Sequence, residues 1–89
     1  MIKIDKLTKE DIPQVVLLEE QFLGETLGSE MLENELENEF MCFLSAKDNK
    51  KVLGYIGAYV INGELEILNF VVDGLHQRTG IGTLLFNEL

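Results

Sequence analysis

The stretch Glu64–Leu89, ELEILNFVVDGLHQRTGIGTLLFNEL, decides the fold of this chain. Its first part is apolar on both faces at Phe70-Val71-Val72, which predicts a buried strand. A polar, glycine-containing turn follows, Gln77-Arg78-Thr79-Gly80-Ile81-Gly82, and then apolar residues recur at helical spacing. The first N–H groups of a helix have no partner within the helix and carry partial positive charge. The stretch therefore predicts a strand–loop–helix unit that binds a phosphate group at the start of its helix.

The residues before this unit predict three further strands and two helices. Apolar runs and alternation place strands at Lys3–Leu7, Phe40–Ala46 and Val52–Ile61, followed by a fourth at Glu64–Asp73. Helical spacing places helices at about Thr8–Leu23 and Glu30–Asn38. The resulting order is β-α-α-β-β-β-loop-α, within one domain formed by residues 1–89.

The ends of the helices carry capping signals. Either Thr8 or Asp11 can cap the first helix, and Ser29 can cap the second. The apolar side of the first helix leaves Glu19 and Glu20 toward its edge or the solvent.

The last two strands form a predicted hairpin. Asn62-Gly63 suits a type I′ turn, which needs positive φ at both residues. Gly54 and Gly57 in the third strand indicate a bulge or a close backbone approach. Because the chain supplies no strand after the final helix, the fourth strand is expected to keep an open edge that can pair with another chain.

Composition narrows the classes of partner. The chain has 89 residues, of which 46% are hydrophobic and 26% charged, as in a soluble globular domain. A net charge of −9 argues against nucleic acid, and no apolar run reaches the roughly 18 residues of a membrane span. One Cys and one His offer neither a disulfide nor a metal site, and the single Cys42 fits a reducing, cytoplasmic environment.

The first half of the chain is strongly acidic. Ten acidic residues and no Lys or Arg lie between Glu10 and Ala46. This half either attracts a cationic substrate or forms a solvated helix face.

Two common phosphate loops do not fit the glycine turn. A dinucleotide-binding turn needs a third small residue where Leu85 stands, and a nucleoside-triphosphate loop needs a lysine directly after Gly82, where Thr83 stands. An ordinary strand-to-helix turn is the remaining alternative on these residues alone.

From its first strand onward the chain resembles the GNAT superfamily of N-acetyltransferases, and most of all the ribosomal-protein alanine acetyltransferase type. Gln77, Gly80 and Gly82 match the family's R/Q-x-x-G-x-G/A signature, Glu66–Asp73 is similar to its fourth strand, and Thr8–Leu18 to its opening helix. The resemblance implies an α/β fold of the α+β type, ordered β-α-α-β-β-β-α, with a mixed and mostly antiparallel sheet. It covers the N-terminal half or so of a complete domain, which here ends after the loop helix.

The resemblance also implies a co-substrate, acetyl-CoA. Backbone groups of Phe70, Val71 and Val72 would contact its acetyl-pantetheine arm, and an N–H near Val72 would polarise the thioester carbonyl. The signature turn would hold the pyrophosphate through Gln77, Arg78, Thr79, Gly80, Ile81, Gly82 and Thr83. Gly74 departs from the family, which usually has a proline there.

Glu66 is the candidate general base within the chain. It lies four residues before Phe70, about where the histone-acetyltransferase branch keeps a basic glutamate. Partial burial would favour this role, because desolvation makes a carboxylate a stronger base; the alternative is a carboxylate on the strand surface. In the alanine-acetyltransferase branch, the family segments absent from this chain carry the general base and the tyrosine acid.

Three functions follow from these observations. The first is transfer of an acetyl group from acetyl-CoA to a primary amine: a protein N-terminus, a lysine or a small amine. The second is a non-catalytic acyl-CoA-binding or dimerisation module, with a homodimer formed through the open strand edge. The third is a regulatory domain whose acidic helices contact a basic partner.

Overall fold

A computed structural model describes residues 2–74 and 80–89. Its strands are β1 (Ile2–Lys6), β2 (Met41–Asp48), β3 (Lys51–Ile61) and β4 (Glu64–Val72). Its α-helices are α1 (Ile12–Leu23), α2 (Ser29–Leu36) and α3 (Ile81–Glu88). This order confirms the predicted β-α-α-β-β-β-α arrangement of an α+β fold.

The strands form one sheet in the order β1-β2-β3-β4. The described strands pair only antiparallel, so the parallel pairing that would make the sheet mixed is not among them. Asn62 and Gly63 have φ values of 54° and 78°, which confirms the predicted type I′ hairpin between β3 and β4. As predicted, β3 lies inside the sheet and β4 at its edge.

Each face of the sheet carries its own apolar core. Helices α1 and α2 cover one face, and its buried residues are Leu7, Ile12, Val15, Leu18, Leu32, Phe43, Val52, Tyr55 and Val71. Helix α3 covers the other face, and its buried residues are Leu44, Ala46, Leu53, Ile56, Val72, Ile81 and Leu85. The strand–loop–helix unit thus carries the chain from one edge of the sheet onto the face opposite α1.

The start of α1 fits one of the two predicted caps, whereas the start of α2 does not fit the prediction. Thr8 precedes a short 3-10 turn, Lys9–Asp11, and α1 then starts at Ile12 with Asp11 at its N-cap. The prediction that Ser29 caps α2 was wrong, because Ser29 is already the first helical residue. Gly28 precedes it with φ 88°, a conformation that glycine adopts without steric cost.

Strand β2 is shifted toward the C-terminus relative to the prediction Phe40–Ala46. It pairs with both neighbours, and Ile2 of β1 lies opposite Asp48. Pairing partners supplied by distant strands, rather than local apolarity, set the end of this strand.

The predicted irregularity in β3 is present. The register with β4 shifts between Gly57 and Ala58, which leaves Leu68 as the extra residue of a bulge in β4. At Gly54 the backbone of β4 comes close, since an added Cβ would lie 2.9 Å from the Val71 carbonyl oxygen.

An ion pair fastens the start of α1 to β2. The Asp11 carboxylate lies 2.6 Å from Lys47 Nζ and accepts hydrogen bonds from the N–H and hydroxyl of Thr8 at 2.9 and 3.0 Å. Burial by itself raises the pKa of Asp11, but Lys47 and the Thr8 donors outweigh it and hold that pKa below its usual value. Among the described residues, no helix is long and apolar enough to cross a membrane.

Candidate functional site

A cleft opens beside β4, between the end of α1 and the start of α3. Its volume is about 300 Å³, and it is lined by Phe22, Leu23, Phe70, Val71, Val72 and Gly82. The end of α1, which is distant in sequence, therefore meets β4 and α3 at the predicted strand residues and the second signature glycine. The lining is apolar, as is usual for a pocket that takes an organic ligand.

The two valines in the cleft turn their side chains away from it into the protein. Val71 belongs to the core under α1, and Val72 to the core under α3. A ligand at this edge would therefore meet β4 largely through its backbone and the Phe70 ring.

The hydrogen-bond alternation of β4 decides which of its backbone groups point toward β3. The Asp73 N–H donates to the Leu53 carbonyl of β3 at 2.7 Å. Because hydrogen-bonded and non-hydrogen-bonded pairs alternate in an antiparallel ladder, Val71 also bonds to β3. The N–H and C=O groups of Phe70 and Val72 consequently point away from β3, and the Phe70 N–H donates to Asn69 Oδ1 at 3.1 Å.

The two signature glycines have different physical roles. Gly80 lies at the N-cap of α3 with φ 85°, in the left-handed region that a β-carbon disfavours. At Gly82 space is the constraint, since an added Cβ would lie 3.0 Å from Phe70 Cζ. The Phe70 ring is held from the other side by Phe86, edge to face at 4.9 Å between centroids.

Gly74 departs from the resembled pattern for a visible reason. An added Cβ there would lie 2.7 Å from Phe22 Cε1, closer than side chains tolerate. The Phe22 ring, which lines the cleft, uses the space that a proline would need.

A second cavity of about 340 Å³ lies on the other side of Leu23. It is formed by the α1–α2 connection and the bulged part of β4, and its lining residues are Leu23, Glu25, Thr26, Leu27, Leu68 and Asn69. Because Leu23 lines both cavities, they lie next to each other along β4.

The sequence-based placement of Glu19 at the edge or the solvent was wrong: this side chain is fully buried. One carboxylate oxygen accepts hydrogen bonds from the Thr26 hydroxyl at 2.6 Å and the Leu27 N–H at 3.2 Å. The other accepts short hydrogen bonds from the Tyr55 hydroxyl and the Asn69 side-chain amide. A carboxylate has acceptor sites for all four donors, so the charge is buried with full hydrogen bonding.

Helical spacing contained a signal for this burial. Glu19 lies seven residues after Ile12 and four after Val15, on the same stripe as these two buried residues. Tyr55, opposite Glu19, has its pKa raised well above its usual value, first by burial and then by the hydrogen bond and charge of Glu19.

The structure places some predicted site residues together and others apart. Ile81 is a buried residue of α3, and Thr83 is an exposed residue of the same helix. Gln77, Arg78 and Thr79 lie outside the described residues.

Glu66 is exposed on β4, opposite Tyr59, and lines neither of the two cavities beside β4. The partial burial that would favour it as a general base is therefore not found.

Comparison with known proteins agrees with this fold. The sequence profile described as "Acetyltransferase (GNAT) family" matches residues 7–89. This chain therefore belongs to the GNAT acetyltransferase family. A search of curated proteins found no match.

Solved structures share the fold. An aminoglycoside acetyltransferase from an uncultured soil metagenomic sample, in complex with sisomicin, is 26% identical with a TM-score of 0.80, over 98% of this chain and 66% of that one. The paia N-acetyltransferase of Thermoplasma acidophilum, in complex with coenzyme A, is 22% identical with a TM-score of 0.85, over 99% and 69%. The ribosomal-protein-S18-alanine N-acetyltransferase of Escherichia coli is also 22% identical with a TM-score of 0.85, over 99% and 56%. The chain thus spans between about half and two thirds of these structures.

Proposed function

We propose that this chain provides the acetyl-CoA-binding part of an N-acetyltransferase that acetylates a primary amine. The observation that carries the proposal is the apolar cleft in which Phe70 and Val72 of β4 meet Gly82 at the start of α3. Family membership supports it, as do neighbours solved with coenzyme A, among them an aminoglycoside 6'-N-acetyltransferase.

The residues of the cleft fit an acyl-pantetheine thioester. An extended amide-containing chain can hydrogen-bond to an open strand edge as a further strand would. Phe22 and Phe70 would pack on its apolar parts, and the absence of a side chain at Gly82 leaves room for it. The pyrophosphate would be bound by the first N–H groups of α3, which belong to Gly80, Ile81, Gly82 and Thr83. The rest of the binding loop would be formed by Gln77, Arg78 and Thr79.

Acetyl-CoA supplies the acetyl thioester in this reaction. The amine nitrogen forms a bond to the carbonyl carbon, the carbon–sulfur bond breaks, and the proton that the amine loses is matched by the one that the leaving thiolate takes up to give free CoA. A backbone N–H of β4 near Val72 would stabilise the oxyanion. Glu66, exposed on β4, is the general-base candidate that we propose within this chain.

The amine must be neutral when it attacks, so a lysine side chain depends on a general base far more than an α-amine does. At pH 7 about one lysine side chain in 2,500 is neutral, against roughly one α-amine in seven, a difference of about 3.5 kcal/mol. The cavity beside the bulge contains Glu25, whose carboxylate would attract a cationic amine. We therefore propose that a cationic amine enters beside β4 from this cavity, and that the protein works in the cytoplasm.

Two measurements test the proposal. Acetyl-CoA at 100 times its dissociation constant should stabilise the protein by about 2.7 kcal/mol, which raises the melting temperature of a domain this small by about 10 °C or more. Transfer is then followed by mass spectrometry with a peptide α-amine, a lysine peptide and an aminoglycoside as acceptors. No thermal shift at saturating acetyl-CoA would refute the proposal.

A second candidate is a non-catalytic acyl-CoA-binding or dimerisation module. The observation that favours it is the outer edge of β4, where Leu65 and Ile67 are 45% and 40% exposed. A thermal shift without acetyl transfer to any acceptor would support binding alone. A dimer mass in light scattering, reduced to the monomer by Ile67→Lys, would support pairing through this edge.

A further inference from the structure

The Glu19 carboxylate connects three parts of the site that are far apart in sequence. Its donors come from the α1–α2 connection (Thr26 and Leu27), the centre of β3 (Tyr55) and the bulged strand β4 (Asn69). We propose that Glu19 is a positioning residue of the cleft, which acts through Asn69 on the backbone N–H of Phe70. The proposal deepens the proposed function, on which it rests.

The relay runs through the two ends of one amide side chain. Asn69 Nδ2 donates to Glu19, and Asn69 Oδ1 accepts from the Phe70 N–H at 3.1 Å. The orientation of this amide is fixed chemically, because the carboxylate only accepts and the backbone N–H only donates. The position of Glu19 therefore sets the position of the acceptor that meets Phe70.

The bulge explains why β4 needs this support. Leu68 is the unpaired extra residue, and Asn69 directly follows it, so the regular ladder to β3 is interrupted just before Phe70. Phe70 is also the first cleft residue on the strand, and its N–H points away from β3. The contact between Asn69 and Glu19 ties the strand to α1 directly beside this interruption of the ladder.

A purely structural role would not need a charge at this position. Burying a carboxylate is costly, and well-packed apolar residues often replace buried charged groups without loss of stability. Val15 and Leu18 fill neighbouring positions of α1 with apolar side chains. An apolar residue at position 19 could not accept hydrogen bonds from Asn69 and from the α1–α2 connection. The Glu19 carboxylate accepts both, and it thereby fixes the walls of the two cavities relative to each other.

The test separates the relay from stability in general. Glu19→Gln places an amide N–H₂ against donors, and Asn69→Ala removes the relay while leaving Glu19 its three other donors. Tyr55→Phe is the matched control, because it removes a hydrogen bond to the same carboxylate oxygen and leaves both partners of the Asn69–Glu19 and Phe70–Asn69 hydrogen bonds in place. Each variant is first checked for folding by circular dichroism, and if Glu19→Gln does not fold, Asn69→Ala carries the test.

Two readouts are taken. Titration calorimetry gives the dissociation constant for acetyl-CoA, and nuclear magnetic resonance gives the Phe70 amide shift in the ligand-free protein. Glu19→Gln and Asn69→Ala should weaken binding by about 10-fold, the effect of one hydrogen bond to a charged group, and should move the Phe70 amide. Tyr55→Phe should lower the melting temperature, yet change the dissociation constant by less than about 2-fold and leave the Phe70 amide in place.

The inference is overturned if Asn69→Ala leaves the Phe70 amide unmoved, or if all three variants weaken binding in proportion to their loss of stability. If the unmodified protein does not bind acetyl-CoA, the proposed function fails. The Phe70 amide then decides the positioning role of Glu19 on its own.

Discussion

Substitution of Gly82 by valine should weaken acetyl-CoA binding while leaving the protein folded. The added Cβ would lie 3.0 Å from Phe70 Cζ, whereas ordinary van der Waals contact begins at 3.4 Å. Either α3 shifts outward or the Phe70 ring moves into the cleft, which has a volume of only about 300 Å³. The first response displaces the start of α3 from the proposed ligand, and the second fills space in the cleft that the ligand would occupy.

The expected size follows from overpacking. Forcing extra methyl groups into a packed site costs about 1 to 3 kcal/mol, which corresponds to a roughly 5- to 150-fold weaker affinity if the ligand needs that space. The stability of the free protein should fall by less, because valine is a somewhat better helix former than glycine, by a few tenths of a kcal/mol.

Titration calorimetry with acetyl-CoA measures the affinity, and thermal unfolding measures the stability. Asn87→Val is the matched control, since it adds the same side chain to an exposed position of α3 away from the cleft. If Gly82→Val binds acetyl-CoA within about 2-fold of the unmodified protein, the assignment of this cleft to the cofactor is refuted.

Three further predictions concern the loop and two buried groups. Gly80→Val forces a β-branched residue to φ 85° and should lower affinity more than Arg78→Ala, because the pyrophosphate contacts are mostly backbone; calorimetry giving the reverse order would contradict this. The lowered pKa of Asp11 contributes stability that is present above its unfolded pKa of about 3.9 and is lost as pH falls through the lower folded pKa. Lys47→Met should therefore lower the free energy of unfolding, measured with urea, by about 1.5 to 3 kcal/mol at pH 7 and by much less at pH 2 to 3. An equal loss at both pH values would refute the pairing of Lys47 with Asp11. The raised pKa of Tyr55 means that stability falls as pH rises above about 10, so Tyr55→Phe should flatten that decline in thermal scans between pH 9 and 11; an unchanged slope would speak against it.

Local patterns were sufficient for the order of the elements. Continuous apolarity in β3 and β4 and the Asn62-Gly63 turn depend on neighbouring residues only, and the structure agrees with each. Matching Gly80 and Gly82 to a family signature located the start of α3 at the cleft.

Such local patterns predicted the ends of the strands and helices less well. Strand β2 extends to Asp48 because β1 pairs with it there, and α2 begins at Ser29 because Gly28 adopts positive φ. Neither cause can be read from the spacing of apolar residues within β2 or α2.

Glu19 marks the boundary between what the sequence determined and what the tertiary structure decided. Its place on the stripe of Ile12 and Val15 is a property of the sequence, since 3.6 residues per turn fix which side chains share a helix face. Whether a charge is tolerated on that face depends on donors 36 and 50 residues away, Tyr55 and Asn69, which only the assembled sheet brings to it. The burial of that carboxylate, and with it the proposed relay to Phe70, is therefore a product of the tertiary structure.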